Sequence, residues 1–304
     1  MSSTSESSHL TRIRHRTYYR YAEDVTFQSH RLVIRPREGH DLRVESLLLG
    51  ITPAADVFWA RDIFGNSVAH AHFREPGCEL IFDVDVVVRR FFDPDLPPTI
   101  LNSPNPYPLE YDTLEHGIIV GYLTPVYGEE TAAVKDWMKT LPDPGSFDSA
   151  EAFVVHLAET IHAKIGYQRR EAKGVQTPAT TLSLGTGSCR DAATLMMETL
   201  RHLGIAARFA SGYLDCAATR AARGSTHAWT EAYFPQLGWR GFDPTTGKRC
   251  THQHIVTGTS HHPRGVMPVS GRYFGPTGAF QSMNVTVEFS TPEDAAVPEF
   301  IRAT

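Results

Sequence analysis

The sequence predicts an α+β protein: an N-terminal antiparallel β domain, then a segment in which helices alternate with further strands. Three observations carry this. From about Thr17 to Arg90 the chain runs through HRTYYRYAEDV, HRLVIRPRE, HDLRVESLLLGITP, VFWARDIFGNSVAHAHF and CELIFDVDVVVRR, short stretches rich in β-branched and aromatic residues and separated by Pro, Gly, Asn and Asp. Beyond Thr131, apolar residues recur at helical spacing. Strand-like runs then return, at residues 205–214, 227–234 and 238–244.

Residues 1–9 are Ser-rich and polar and read as a flexible tail. Residues 10–100 form the β domain. In its last run Leu80, Phe82, Val84, Val86 and Val88 share one face while Asp83 and Asp85 share the other, the alternation of a strand with one wet side. Gly65 and Asn66 supply turn chemistry for a hairpin end. Residues 101–130 read as a proline-rich linker or wrapping loop, because prolines at the density of FFDPDLPPTILNSPNPYPLEYD prevent regular pairing. The core follows over residues 131–265. ETAAVKDWMKTL is a short amphipathic helix, and residues 148–151 have the D-x-x-E form of a capping box ahead of Phe153, Leu157, Ile161 and Ile165. Residues 266–304 include the alternating run MNVTVEF and return to a sheet. No repeat of fixed period suggests a solenoid or propeller.

Composition narrows the function. The chain has 304 residues, 41% hydrophobic, enough for one large or two ordinary cores. A formal charge of -5 provides no basic field for nucleic acid. MSSTSESSHLTRIRHRTYY lacks the apolar core of a secretory signal, and no later stretch is long enough to span a bilayer, so a cytoplasmic protein without a membrane partner is expected. Cys78, Cys189, Cys216 and Cys250 form no C-x-x-C pair and read as thiols.

Cys189 stands apart from the other three. Ser188 and Asp191 give an S-x-x-D helix start, Ala192, Met196, Leu200 and Leu203 form an apolar face, and Gly204 ends the helix. Cys189 is then the first helical residue. Unpaired N–H groups and the positive end of the helix dipole favour a thiolate there, and the same N–H groups can stabilise an oxyanion beside the sulfur. Acyl transfer also needs a proton donor and a group that orients it. His227, Trp229, Glu231 and Tyr233 share one strand face; Trp239, Gly241 and Asp243 share a face of the next. In a hairpin centred near Pro235, paired residue numbers sum to about 470, so His227 falls opposite Asp243. Taken alone, the pair reads more readily as an exposed cross-strand charge pair.

GSCRDAATLMMETLRHLGIAARFASGYL and THAWTEAYFPQLGWRGFDPTTG together resemble the transglutaminase-like cysteine enzyme superfamily, with its blocks in the order Cys, His, Asp. RYAEDVTFQSHRLVIRPRE and DIFGNSV resemble the β domain that precedes this core in many bacterial members. The resemblance implies Cys189 as nucleophile, His227 as general acid/base and Asp243 as orienting residue. It also implies a papain-like α+β core, with the cysteine helix packed on an antiparallel sheet that carries the other two. The expected chemistry is acyl transfer at amide bonds through a thioester, with hydrolysis of a protein, peptide or small amide substrate preferred to amine cross-linking. A noncatalytic binding module on the same fold is the alternative of a different class.

The oxyanion donors expected are the Cys189 backbone N–H and, from Gln176, a side-chain N–H; Gln176 reads equally as a polar loop residue. Trp229 and Trp239 suit either an acyl cleft or the core. No cofactor is expected. Cys250, His252, His254, His261 and His262 have ligand chemistry for zinc but lack a second well-spaced Cys pair. Oligomeric state is not legible.

Overall fold

The computed structural model describes residues 8–91, 105–170 and 174–292. Six strands open the chain: β1 (Ser8–Phe27), β2 (His30–Leu32), β3 (Leu42–Thr52), β4 (Ala55–Arg61), β5 (Ser67–Phe73) and β6 (Gly77–Phe91). Three helices follow, α1 (Thr113–Leu123), α2 (Thr131–Met138) and α3 (Ala150–Lys164). Then come β7 (Gly166–Tyr167), α4 (Pro178–Leu184), β8 (Thr186–Gly187), α5 (Cys189–His202), β9 (Ala207–Leu214) and α6 (Ala217–Arg220). The chain continues through β10 (His227–Phe234), β11 (Gly238–Asp243), β12 (Lys248–Arg249) and β13 (His254–Ser260), then β14 (Val269–Ser270), β15 (Tyr273–Phe274) and β16 (Phe280–Ser290).

The fold is α+β, with an N-terminal antiparallel sheet domain ahead of the helix-on-sheet core. One sheet places β1 between β6 and the C-terminal strands, with β3 beyond β6; β15 and β16 take successive stretches of the other edge of β1. A second sheet has the order β14-β2-β5-β4, and the core sheet runs β12-β11-β10-β9-β13. In β6 the inward residues Leu80, Phe82, Val84, Val86 and Val88 are all buried, as the period-two alternation dictates. Each such side chain contributes about 1.5–3 kcal/mol through burial. The MNVTVEF run does return to a sheet, and it is the N-terminal one: Met283 pairs with Tyr19 and Val285 with Thr17.

The turn at residues 62–66 ties the two parts of the chain together. Asp62 accepts the N–H groups of Phe64 at 3.0 Å and Asn66 at 2.9 Å, while the buried Asn66 side chain exchanges two hydrogen bonds with the backbone of Thr259 on β13. Tyr213 of β9 donates its hydroxyl to the Ile34 carbonyl and contacts His15 of β1 at 3.1 Å. The N-terminal sheets are therefore packed directly against the core.

Three details differ from the sequence expectation. The tail falls mostly outside the described residues, but Ser8 and His9 already belong to β1. Of the 101–130 passage, residues 101–104 lie outside the described residues and the rest holds α1. No proline occurs between Pro108 and Pro125, and Asp112 with Glu115 forms a capping box that starts a helix in that gap. The cap of α3 is Ser149, which accepts the Ala152 N–H at 3.1 Å; Glu151 is instead buried and 3.2 Å from Arg249. The apolar positions of α3, Phe153, Leu157 and Ile161, are fully buried as their spacing requires. No helix among the described residues is long and apolar enough to cross a membrane.

Candidate active site

Helix α5 lies between the core sheet, where it packs on β10 and β9, and the helices α2, α3 and α4. It is buried on every side, not only along one apolar face: Asp191, Thr194, Glu198, Thr199 and Arg201 are buried with the rest. The polar ones are satisfied locally. Glu198 accepts the N–H groups of Val126 and Tyr127, and Arg201 donates to the carbonyls of Ala207 and His261. A central, fully packed helix thus carries the nucleophile candidate at its N-terminus.

That N-terminus is built around Asp191. Its carboxylate accepts the Ser188 N–H at 2.8 Å, the Gln176 N–H at 2.7 Å and the Arg170 guanidinium at 2.9 Å. Burial alone would raise the Asp191 pKa, but these donors outweigh it and hold the group below its ordinary value. Such charge-assisted bonds are worth roughly 1.5–3 kcal/mol each. Gly187 must be glycine here, since a Cβ would lie 2.8 Å from Asp191 Cβ and 3.2 Å from Gln176 Oε1.

Cys189 is the first residue of α5 and is 8% exposed. Burial pushes its thiol up. The charge and hydrogen bond of His227, the Arg190 guanidinium and the backbone N–H of Ala228 pull it down further, so the net shift is downward. His227 opens β10, and its Nε2 is 2.9 Å from Asp243 Oδ2 at the end of β11. This leaves Nδ1 as the ring nitrogen for the sulfur. Burial disfavours imidazolium, yet the Cys189 and Asp243 charges and hydrogen bonds raise the His227 pKa. Asp243 is wholly buried; burial would raise it, but His227, His254 and the Thr245 N–H, bonded to Oδ1 at 2.9 Å, hold it far below the usual carboxylate range. The group as a whole favours a thiolate–imidazolium pair braced by a carboxylate.

The structure therefore brings Cys189, His227 and Asp243 together, by a register that differs from the simple hairpin count. Thr230 pairs with Phe242 and Glu231 with Gly241, so paired numbers sum to 472. The turn is centred on Gln236, which adopts φ 67°, rather than on Pro235. A shift of two keeps every side chain on its face, so His227 still meets Asp243, diagonally instead of directly across.

His254 is the residue that sequence reasoning placed elsewhere. It sits on β13 with Nε2 3.5 Å from Asp243 Oδ2 and its ring edge-on to Trp229 at 5.2 Å. Its Nδ1 accepts the Thr251 N–H at 3.2 Å, so the neutral ring carries its proton on Nε2, facing Asp243. The remaining residues of the suggested zinc segment do not join it. Cys250 is held well above the ordinary thiol value by burial and by the Asp243 and Glu231 charges; His262 accepts the Arg264 N–H, and His261 lies against Phe64. Among the described residues one group offers three convergent metal donors, His227, Asp243 and His254, within 4.8 Å of one another. To bind an ion, His227 Nε2 would have to give up its 2.9 Å bond to Asp243, and His254 Nε2 its proton.

A cleft opens over Cys189. One wall is the core, with Tyr167, Arg170, Ser188 and His227; the other comes from His15, Thr17 and Tyr19 of β1 and Met283 and Val285 of β16. The N-terminal domain thus forms part of the site. Trp229 is 1% exposed and Trp239 packs under Arg208 at 4.0 Å, so both belong to the frame and neither lines the cleft. Gln176 is likewise not a wall residue; its Oε1 accepts from Thr181 at 3.2 Å beside Gly187.

Comparison with known proteins matches both parts of the chain. Residues 11–89 match the bacterial transglutaminase-like N-terminal region, and residues 144–244 match the transglutaminase-like superfamily. Residues 144–244 are a transglutaminase-like superfamily core. This core holds all three residues discussed above. An uncharacterized protein of Mycobacterium tuberculosis is 28% identical over 289 residues, covering 87% of each chain. One of Mycobacterium leprae is 36% identical over 108 residues, 34% of this chain and 37% of that one. The fold is shared with a solved structure described as "a Putative Cysteine Protease from Cytophaga hutchinsonii", at TM-score 0.72 and 18% identity over 96% of this chain and 93% of that one.

Proposed function

We propose that this transglutaminase-like protein is a cysteine amidase or protease that cleaves amide bonds through a thioester, with Cys189 as nucleophile, His227 as general acid/base and Asp243 as the residue that orients His227. The observation that carries this reading is the chain of contacts from the first residue of α5 through His227 to the buried Asp243. The thiolate sulfur attacks the amide carbonyl carbon and forms an S–C bond. Negative charge moves to the carbonyl oxygen, which the Cys189 backbone N–H at the helix start is placed to receive. His227 gives its proton to the departing amine as the C–N bond breaks. Neutral His227 then takes a proton from the incoming water, whose oxygen replaces sulfur and restores the thiolate–imidazolium pair.

Water is favoured over an amine as acceptor because Arg169 and Arg190 on the cleft wall oppose a cationic lysine or polyamine. The cysteine-protease description of the Cytophaga hutchinsonii neighbour is in keeping with this. Four free thiols suit a reducing, cytoplasmic setting. Gln176 stays in the proposal only as a support of the Gly187 turn that carries the Cys189 N–H.

A peptide-library digest read by mass spectrometry tests the reading. The expected result is new peptide termini with the wild type and none with Cys189→Ala. Equal cleavage by the two proteins would sink the proposal, and amine incorporation without new termini would replace hydrolysis by transfer.

A further inference from the structure

The cleft beside Cys189 carries a charge bias that acyl transfer by itself does not require. Its walls include Arg169, Arg170 and Arg190 and, among the described residues, no aspartate or glutamate. The chain as a whole has 34 acidic residues against 29 Lys and Arg, so the bias is local. The three arginines are not equivalent. Arg170 donates to both oxygens of the buried Asp191 at 2.9 Å, and its charge is balanced inside the fold. Arg190 follows the nucleophile and donates from Nη2 to the Arg170 carbonyl at 3.2 Å, a bond that orients the guanidinium without neutralising it. Arg169 is exposed. Neither Arg169 nor Arg190 is paired with a carboxylate among the described residues.

Tyr167 shows that these groups share one mouth. Burial pushes its hydroxyl up, the Cys189 sulfur adds to that, and the Arg169 and Arg190 guanidiniums oppose it. The start of the 14-residue α5 adds its own positive potential at the same point. A half-enclosed cleft with one sign of charge concentrates ligands of the opposite sign, and the planar guanidinium matches a carboxylate in particular.

Resting on the acyl-transfer reading, we infer that the cleft selects an acidic peptide, one whose residues flanking the scissile amide carry carboxylates, with Arg169 and Arg190 as the anion-binding side chains. The preference also explains the choice of acceptor: a field that draws in carboxylates repels a lysine or polyamine.

The test compares alkylation of Cys189 by iodoacetate and iodoacetamide in the full chain, read by peptide mass spectrometry. In both reactions the thiolate displaces iodide from the same CH2 group, the S–C bond forming as C–I breaks, so the reagents differ only in carboxylate against carboxamide. Each ratio is referred to N-acetylcysteinamide, a neutral thiol in free solution. The expected iodoacetate preference at Cys189 is about tenfold or more at low ionic strength and falls as salt is added. It should drop toward that of the free thiol in the Arg169→Gln, Arg190→Gln double variant, and part of the way in Arg169→Gln alone, which changes only an exposed side chain. A wild-type ratio equal to that of the free thiol, or a ratio unchanged in both variants, overturns the proposal. Iodoacetamide alone reports thiol activation: fast labelling with no iodoacetate preference would keep acyl transfer and remove anion selection, whereas slow labelling with a strong preference would do the reverse.

Discussion

Asp243 Oδ2 stands 2.9 Å from His227 Nε2 and 3.5 Å from His254 Nε2, so one buried carboxylate oxygen faces two imidazole N–H groups from different strands. The shorter contact orients the ring beside Cys189. The longer one fills the remaining approach to Asp243 and packs on Trp229. His254→Ala is expected to cost about 1–3 kcal/mol, because it strips a donor from a buried acceptor and leaves a void. His254→Asn retains an N–H and should recover part of this loss. Urea unfolding of the three proteins checks it; equal losses in both variants would rule out a donor role.

Replacing Asp243 by Asn should act on the thiol from a distance. The carboxylate helps to hold His227 as imidazolium, and His227 in turn favours the Cys189 thiolate. Asp243→Asn should therefore slow iodoacetamide labelling of Cys189 at pH 7 by tenfold or so. A rate equal to the wild type would show that Asp243 only packs.

The same carboxylate gives a pH dependence of stability whose sign is fixed. Its pKa is lowered by folding, so it stabilises the native state above its unfolded value of about 3.9 and ceases to do so as pH falls through the native one. His227 is shifted the other way: its contribution is complete below an unfolded value of about 6.5 and is lost as pH rises through the native value, about 10. Chemical denaturation of wild type and Asp243→Asn should show a stability gap at pH 7 that narrows below about pH 4. A gap that widens on acidification would contradict the assignment.

Gly187→Ala probes the helix start directly. The added Cβ meets Asp191 Cβ at 2.8 Å, so either the turn or the helix must move. A loss of about 1–3 kcal/mol is expected, together with slower Cys189 labelling. An unchanged melting temperature and rate would mean that the turn yields freely.

Much of this arrangement was legible because it rests on local rules. The alternation in β6, the spacing of Phe153, Leu157 and Ile161, and Ser188 with Asp191 each specify an element within a few residues. What was not legible depends on distant partners. The hairpin register turned on Gln236 adopting a left-handed conformation that glycine or asparagine would have signalled, and α1 was hidden between prolines with Gly117 and Gly121 in its own helix. The place of His254 beside Asp243 had no local signal, because nothing near it in sequence shows that β13 lies beside β9, three strands from the β11 strand that carries Asp243. The D-T-L-E cap at residues 112–115 is the local signal for α1.

The central claim is that Cys189 is a thiolate at neutral pH because His227 makes it so. Its most direct test is the pH dependence of iodoacetamide labelling at Cys189 in the wild type and in His227→Ala, by peptide mass spectrometry with the half-buried Cys250 and the exposed Cys78 as internal references. The account predicts labelling faster than at either reference, persisting below about pH 7 in the wild type and lost in the variant. Labelling at Cys189 no faster than at Cys78, or unaffected by removal of His227, would contradict it.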